Sequence, residues 1–119
     1  MCRYHFVFCP LKRRKIFDVP GVEDRFKELT RECCERAGFR IIAMECHRDH
    51  VHLFLSAPPT FSPADIMHRI KGSTSRAIRD EFPRLSHMTA LWTRSYFVST
   101  AGDVSAQTIQ GYVETQKTR

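Results

Sequence analysis

No apolar run in this chain approaches the ~20 residues needed to cross a membrane, and no segment is repetitive or of low complexity. The first residues, Met1-Cys2-Arg3-Tyr4, resemble the start of a strand and not a secretory leader. We therefore expect a cytoplasmic protein without a membrane partner. Its 119 residues, 42% of them hydrophobic, suit one domain over residues 1–119 with one core.

Paired cysteine motifs are also missing. The five cysteines are an odd number, and none has a C-x-x-C or zinc-ribbon spacing. Because the cytosol keeps thiols reduced, we expect free thiols. They are Cys2, Cys9, Cys33, Cys34 and Cys46.

Positive charge is in excess, with a formal net charge of +6 and an isoelectric point near 9.4. This favours a polyanionic partner, although basic residues also commonly form solvated faces. The basic residues form two clusters, within residues 12–15 and within 69–79. The candidate phosphate contacts are Lys12, Arg13, Arg14, Lys15, Arg69, Lys71, Arg76 and Arg79.

Hydrophobic periodicity predicts seven elements, because apolar residues alternate in strands and recur every three or four positions in helices. The elements are a strand at Tyr4 to Cys9, a helix from Gly21 to Ala37, strands at Phe39 to Cys46 and His50 to Ala57, a helix from Ser62 or Pro63 to just before Pro83, a strand at Ser95 to Thr100, and a helix at Ser105 to Gln116, within about 104–116.

The order of these elements is a split βαβ pattern followed by one further helix. Right-handed crossovers place the first and third strands in the centre of a four-stranded antiparallel sheet, with two helices on one face. We therefore predict an α+β, ferredoxin-like fold. If Val51 and Leu53 face those helices, the opposite face is left for the C-terminal helix to cover.

Two histidines flank Val51 in the third strand. Since side chains alternate along a strand, His50 and His52 project together on one face. Two adjacent imidazoles make half of a metal site, although such pairs are also common as packing or surface residues.

Tyr112 and Gln116 stand one helical turn apart, so both can address one point. Two imidazoles and one amide oxygen would make a neutral, open site suited to Mg²⁺ or Mn²⁺ more than to a closed structural zinc. A phenol of pKa about 10 becomes a competent nucleophile beside a metal. Both residues also fit a half-buried helix stripe without any chemistry.

Together these residues resemble a known family. His50-Val51-His52 after Asp49 resembles the His-hydrophobic-His motif of the HUH nucleases. Tyr112-Val113-Glu114-Thr115-Gln116 looks like the tyrosine helix of single-tyrosine transposases of small insertion sequences, the TnpA-like or IS200-like type. Supporting segments in the same order are Tyr4 to Pro10 with the basic loop, Lys71-Gly72-Ser73 with Arg76, and Trp92 to Phe97.

The resemblance implies a DNA transposase that cuts and rejoins single-stranded DNA at hairpin-bearing element ends. By position, Tyr112 would be the nucleophile, leaving a 5′-phosphotyrosine and a free 3′-hydroxyl. His50, His52 and Gln116 would hold Mg²⁺ or Mn²⁺. It also implies association with the nucleoid and a homodimer, in which the tyrosine helix can complete the partner's site.

Other readings stay open. The protein could instead be a regulator with a zinc site formed by Cys46, His47, His50 and His52. It could also be a non-catalytic single-strand-binding module whose bases stack on Tyr4, Phe6 or Phe8, although these aromatics also suit a core. A domesticated transposase acting on repetitive chromosomal hairpins would share every catalytic residue.

The immediate neighbours of the motifs add two expectations. Gly111 precedes Tyr112, where a glycine costs on the order of 1 kcal/mol relative to alanine, so the helix can be loose and the copy either active or degenerate. Asp49 and Glu45 can orient a metal-bound imidazole, but Asp49 also suits a turn.

Overall fold

The computed structural model describes residues 1–100 and 106–116. Its strands and α-helices follow the predicted order: β1 (Cys2–Phe8), α1 (Val22–Ala37), β2 (Arg40–Cys46), β3 (Val51–Ala57), α2 (Pro63–Glu81), β4 (Phe97–Ser99) and α3 (Ala106–Thr115). Short 3₁₀ helices occur at Leu11–Arg13, Ile16–Asp18 and Pro83–Leu85.

The four strands form one antiparallel sheet in the order β2-β3-β1-β4, so the third and first strands are central. This confirms the predicted α+β, ferredoxin-like arrangement. Helices α1 and α2 pack on one face of the sheet, and the hydrophobic core lies between them and the strands.

The strand register divides side chains between the two faces, because residues opposite each other in an antiparallel pair project on the same side. Phe8 lies opposite Val51, and both are fully buried in the core beneath α1 and α2. Val7 lies opposite His52 on β3 and opposite Phe97 on β4. The histidines therefore face away from α1 and α2, as predicted.

Local signals define the ends of the two long helices. At the start of α2, Ser62 Oγ accepts the Asp65 N–H and Asp65 accepts the Ser62 N–H, both at 3.1 Å, which forms a capping box. Helix α1 ends at Gly38, whose φ of +80° a residue with a Cβ rarely adopts. The predicted weakness at Gly72 does not interrupt α2, because buried Ile70 and Thr74 hold it to the core on either side.

Strand β4 is shorter than the predicted Ser95 to Thr100. Lys71 on α2 donates to the carbonyl oxygens of Thr93 at 2.8 Å and Ser95 at 2.9 Å, and these bonds draw the chain out of the sheet before Phe97. Burial lowers the pKa of Lys71 to about 8, which leaves the amine mainly protonated at neutral pH.

The C-terminal helix covers part of the face that α1 and α2 leave open. Val113 and Gln116 are buried, and Tyr112 is half-buried on the same stripe. The predicted start of this helix, at 104 or 105, lies outside the described residues. Val7, on the same sheet face, is fully buried.

Phe6 and Phe8 are fully buried, so they belong to the core and cannot be the stacking platforms of a binding module; Tyr4 is half-buried against the same core. All five cysteines are free thiols. No helix in residues 1–100 or 106–116 has the length and apolar character of a membrane span.

Replacing Thr74 by valine tests how the loop before β4 is held. The buried Thr74 Oγ1 accepts the indole N–H of Trp92 at 2.9 Å. Thr74→Val keeps the side-chain shape and leaves that N–H unpaired. We expect the free energy of unfolding, measured by urea denaturation, to fall by about 1–3 kcal/mol.

Thr30→Val is the matched control. Thr30 is also fully buried in a helix, and its hydroxyl has no hydrogen-bond partner among the described residues. Its replacement should leave stability unchanged or raise it. Equal losses in the two variants would contradict the role given to the Thr74 hydroxyl.

Candidate active site

Three histidines cluster at the hairpin that joins β2 to β3. The ring centroids of His50 and His52 are 5.1 Å apart, as expected for side chains on one face. His47 stacks on His50 at 4.4 Å with an interplanar angle of 9°, and its centroid is 5.1 Å from that of His52. One ring nitrogen from each of the three lies within 4.8 Å of the others. This places three potential metal ligands together.

Asp49 orients one of these rings. Its Oδ1 lies 2.9 Å from His50 Nδ1, while its Oδ2 pairs with Arg13 Nε at 2.8 Å. In the tautomer that donates Nδ1–H to the carboxylate, His50 Nε2 carries a free lone pair, the arrangement typical of a ligating histidine. Asp49 therefore does more than occupy a turn.

His52 is neutral at physiological pH. Burial, followed by the neighbouring His50, His47 and His5, lowers the pKa of His52 to about 4. The imidazole can therefore bind a cation without first losing a proton. A cavity of about 290 Å³ lies beside it, bordered by His5 and Phe54.

Tyr112 and Gln116 meet at Ser95 on the same side of the sheet. Ser95 Oγ donates to Gln116 Oε1 at 2.9 Å and lies 3.4 Å from the Tyr112 hydroxyl. The Tyr112 ring is 6.4 Å from that of Phe97, measured between centroids. The predicted nucleophile and the predicted amide ligand are thus neighbours, as their helical spacing requires.

The histidine cluster and the Tyr112–Gln116 pair lie along one row of the sheet. Adjacent positions on β3, β1 and β4 are occupied by His52, Val7 and Phe97. His52 and Phe97 are therefore separated by two strand spacings, about 10 Å. Arg13 connects the two groups, because it pairs with Asp49 at 2.8 Å and with Glu114 on α3 at 3.6 Å.

The basic residues of α2 divide into two pairs. Arg69 and Arg76 are exposed, with Arg69 over the Phe61 ring and Arg76 beside Asp80. Lys71 and Arg79 instead turn toward the loop before β4, where Arg79 donates to the carbonyl oxygens of residues 88 and 89. Charge clustering did not distinguish the two pairs.

The basic segment 12–15 forms a tight loop, in which Lys12 and Arg13 have positive φ angles of 55° and 54°. The Arg13 side chain is committed to Asp49, whereas Lys12, Arg14 and Lys15 are exposed. A groove of about 430 Å³ runs beside this loop, and its cationic lining is Arg13, Arg14, Lys15 and Arg84.

The structure corrects the four-residue zinc alternative. Cys46 lies opposite Val51 and packs against the core, on the face away from His52. Burial raises the pKa of its thiol to about 12, so thiolate is not the form present at neutral pH. Cys46 therefore does not join the histidines.

Ser95 is the residue of this site that sequence reasoning missed. A single serine in a loop carries no motif, and its contact with α3 depends on a fold that brings positions 95 and 116 together. The bridging contacts of Arg13 were hidden for the same reason. Within its basic run, Arg13 could not be distinguished from its neighbours.

Comparison with known proteins places this chain in a family. The family model described as "Transposase IS200 like" matches residues 1–116. The chain is 35% identical over 119 residues to the transposase for insertion sequence element IS200 of Salmonella typhimurium, covering 97% of this chain and 76% of that protein. It is 33% identical over 116 residues to the ISDra2 transposase TnpA of Deinococcus radiodurans, covering 95% and 82%.

Two solved structures share the fold. One is the crystal structure of a Deinococcus radiodurans R1 protein described as a transposase, with a TM-score of 0.85, 32% identity and coverage of 96% of this chain and 89% of that chain. The other is a REP-associated tyrosine transposase bound to a REP hairpin, with a TM-score of 0.64, 11% identity and coverage of 95% and 62%. With a family match over residues 1–116 and relatives at 33% and 35% identity, the chain belongs to the IS200-like family of transposases.

Proposed function

We propose that this transposase cuts and rejoins single-stranded DNA at hairpin-bearing ends of a small insertion sequence, with Tyr112 as the nucleophile. The observation that carries the proposal is the row of side chains on one sheet face. A cluster of imidazoles lies at one end of it, and Tyr112 with Gln116 lies at the other. The cytoplasmic, nucleoid-associated location stays a prediction.

The proposed reaction is two transesterifications at phosphorus. The Tyr112 phenol oxygen bonds to the scissile phosphorus and gives up its proton, while the 3′-oxygen leaves and takes up a proton. The products are a 5′-phosphotyrosine and a free 3′-hydroxyl. Attack by a 3′-hydroxyl on the phosphotyrosine reverses the step and joins the new end, so no external energy source is required.

His50, His52 and Gln116 are the residues that would hold a divalent ion in the cutting state. The two imidazoles suit one, because His52 is neutral and His50 has its Nδ1 on Asp49, whereas Gln116 lies at the other end of the row and would complete the set only on reaching them. Two imidazoles suit Mn²⁺ better than the oxygen-seeking Mg²⁺. When bound, the ion would neutralise phosphate charge and lower the pKa of an adjacent phenol.

Ser95 positions the reacting groups of α3 in this proposal. Gly111 gives α3 a weak point next to Tyr112, and a hydroxyl that contacts both Tyr112 and Gln116 compensates for it. Ser95 is itself held by Lys71 from α2. Lys71 therefore has a structural role here, and the same applies to Arg79.

DNA would bind along the exposed basic surface. Within the predicted phosphate contacts, Arg14 and Lys15 line the groove beside the 12–15 loop, Lys12 is exposed next to it, and Arg69 and Arg76 are exposed on α2. The net charge of +6 favours this partner. The bound hairpin in the REP-associated relative, which has the same fold, supports a hairpin substrate.

The proposed assembly is a homodimer in which α3 can be exchanged between protomers. In this structure α3 packs on its own chain through Ser95 and Arg13. Val113 and Gln116 are buried in this contact, and the Tyr112 ring lies against Phe97. A helix held in this way can dock at an equivalent surface of a second copy.

Tyr112→Phe tests the nucleophile. Full-length protein is incubated with single-stranded hairpins taken from the DNA flanking the gene, with Mn²⁺ or Mg²⁺, and analysed by denaturing electrophoresis. The wild type should give a covalent protein–DNA band, and Tyr112→Phe should give none, because it lacks the attacking oxygen.

Tyr4→Phe is the control for loss of a hydroxyl. Tyr4 lies opposite Leu55, on the sheet face away from α3, so this variant should form the adduct as the wild type does. Persistence of the band in Tyr112→Phe would rule out the assigned nucleophile.

Ser95→Ala tests positioning of α3. Losing the hydroxyl releases Gln116 and Tyr112, and misplacement on the order of 1 Å can cost up to about 100-fold in rate. We expect the rate of adduct formation to fall within that range while the affinity for the hairpin stays unchanged. Ser95→Thr, which keeps the hydroxyl, should recover most of the rate. A wild-type rate in Ser95→Ala would refute the positioning role.

A further inference from the structure

The hairpin between β2 and β3 carries an imidazole that the proposed cutting site does not use. His47 stands directly after β2, its side chain is 42% exposed, and its ring stacks on that of His50. Its Nε2 lies 3.2 Å from the exposed carboxylate of Glu45.

The backbone of this hairpin is firmly held. The His47 N–H donates to the His50 carbonyl oxygen at 2.8 Å, which closes the turn. Arg48 pairs with Asp18 at 2.7 Å, and Asp49 pairs with Arg13 at 2.8 Å, so both turn residues are tied to the loop preceding α1. The three histidines are therefore brought together by the fold, and a ligand need not gather them from separate elements.

We propose that His47, His50 and His52 form a three-imidazole site for a borderline transition ion, with Zn²⁺ as its occupant, and that this site does not use Gln116. The inference concerns binding alone and stands whether or not Tyr112 is the nucleophile.

The distances are close to those that zinc needs. Two nitrogens bonded to one tetrahedral Zn²⁺ are about 3.3 Å apart, given zinc–nitrogen bonds of about 2.0–2.1 Å. The present nitrogens lie within 4.8 Å, and the exposed His47 side chain can rotate to close the gap. Gln116, by contrast, is buried and accepts a hydrogen bond from Ser95. Three imidazoles with one position left for water are a known zinc environment.

The donor set also selects the ion. Imidazole favours zinc and its transition-metal neighbours, whereas Mg²⁺ prefers oxygen ligands, and Mn²⁺ is the weakest binder of the divalent first-row series. Because His50 and His52 would serve both sites, an ion held by the three histidines excludes the ion of the proposed cutting state. The chain would then have two mutually exclusive donor sets, distinguished by His47 and Gln116.

Direct metal titration tests this site. Full-length protein without a histidine tag is stripped of metal, and its affinity for Zn²⁺ is measured by calorimetry and by competition with a chromophoric chelator. Co²⁺ serves as a spectroscopic substitute, since its visible absorption is strong for a four-coordinate ion and weak for a six-coordinate one. The variants are His47→Ala, Gln116→Ala and, as a control, His68→Ala, which removes an exposed histidine from α2 on the opposite face.

We expect His47→Ala to weaken Zn²⁺ binding by about 10-fold or more and to lose the four-coordinate Co²⁺ spectrum. Gln116→Ala and His68→Ala should match the wild type in both measurements. Wild-type affinity in His47→Ala, an equal loss in Gln116→Ala, or failure of the wild type to bind Zn²⁺ would each overturn the proposal. Thermal unfolding of His47→Ala and of a second variant, His47→Gln, establishes that a loss of binding does not come from misfolding.

Discussion

Strands β1 and β3 pair over seven residues, from Cys2 opposite Ala57 to Phe8 opposite Val51, and this register decides what each sheet face carries. The apolar residues of β3 are drawn under α1 and α2, where their burial stabilises the fold. The residues between them must then point the other way. His52 and Val7 share that second face because the apolar residues of the core occupy the first face. A register shift of one residue would bury the imidazoles.

On the second face, the loop that precedes β4 brings the side chains of the candidate site together. Lys71 and Thr74, both on α2, hold this loop through two carbonyl oxygens and the Trp92 indole. Their bonds set the position of Ser95, whose hydroxyl contacts Tyr112 and Gln116. Interactions on the core side of the sheet therefore determine where α3 docks on the other side. Arg13 adds a second connection, from Asp49 at the histidine hairpin to Glu114 on α3.

Periodicity predicted the elements, because burial of apolar residues determines it, and the crossover rule predicted the central strands, because the twist of the strands fixes the hand of each crossover. The same alternation correctly placed His50 and His52 on the open face. Contacts between distant positions left no such signal. The sequence predicted neither the contacts of Ser95 with α3 nor the contacts of Lys71 with the loop before β4. A side chain that anchors a loop has the same residue type and charge as one that is exposed to solvent. His47 entered only as one residue of the alternative four-residue zinc site, and the pairing of Cys46 with Val51 was needed to separate it from that cysteine.

In the proposed reaction, the Tyr112 phenol becomes covalently linked to a 5′-phosphate of DNA. The most direct measurement is mass spectrometry of the trapped protein–hairpin adduct after nuclease and protease digestion. We expect a peptide containing Tyr112 that carries the mass of a nucleotide phosphate, with fragment ions assigning it to that side chain. Attachment to any other residue, or strand cleavage without attachment to the protein, would contradict it.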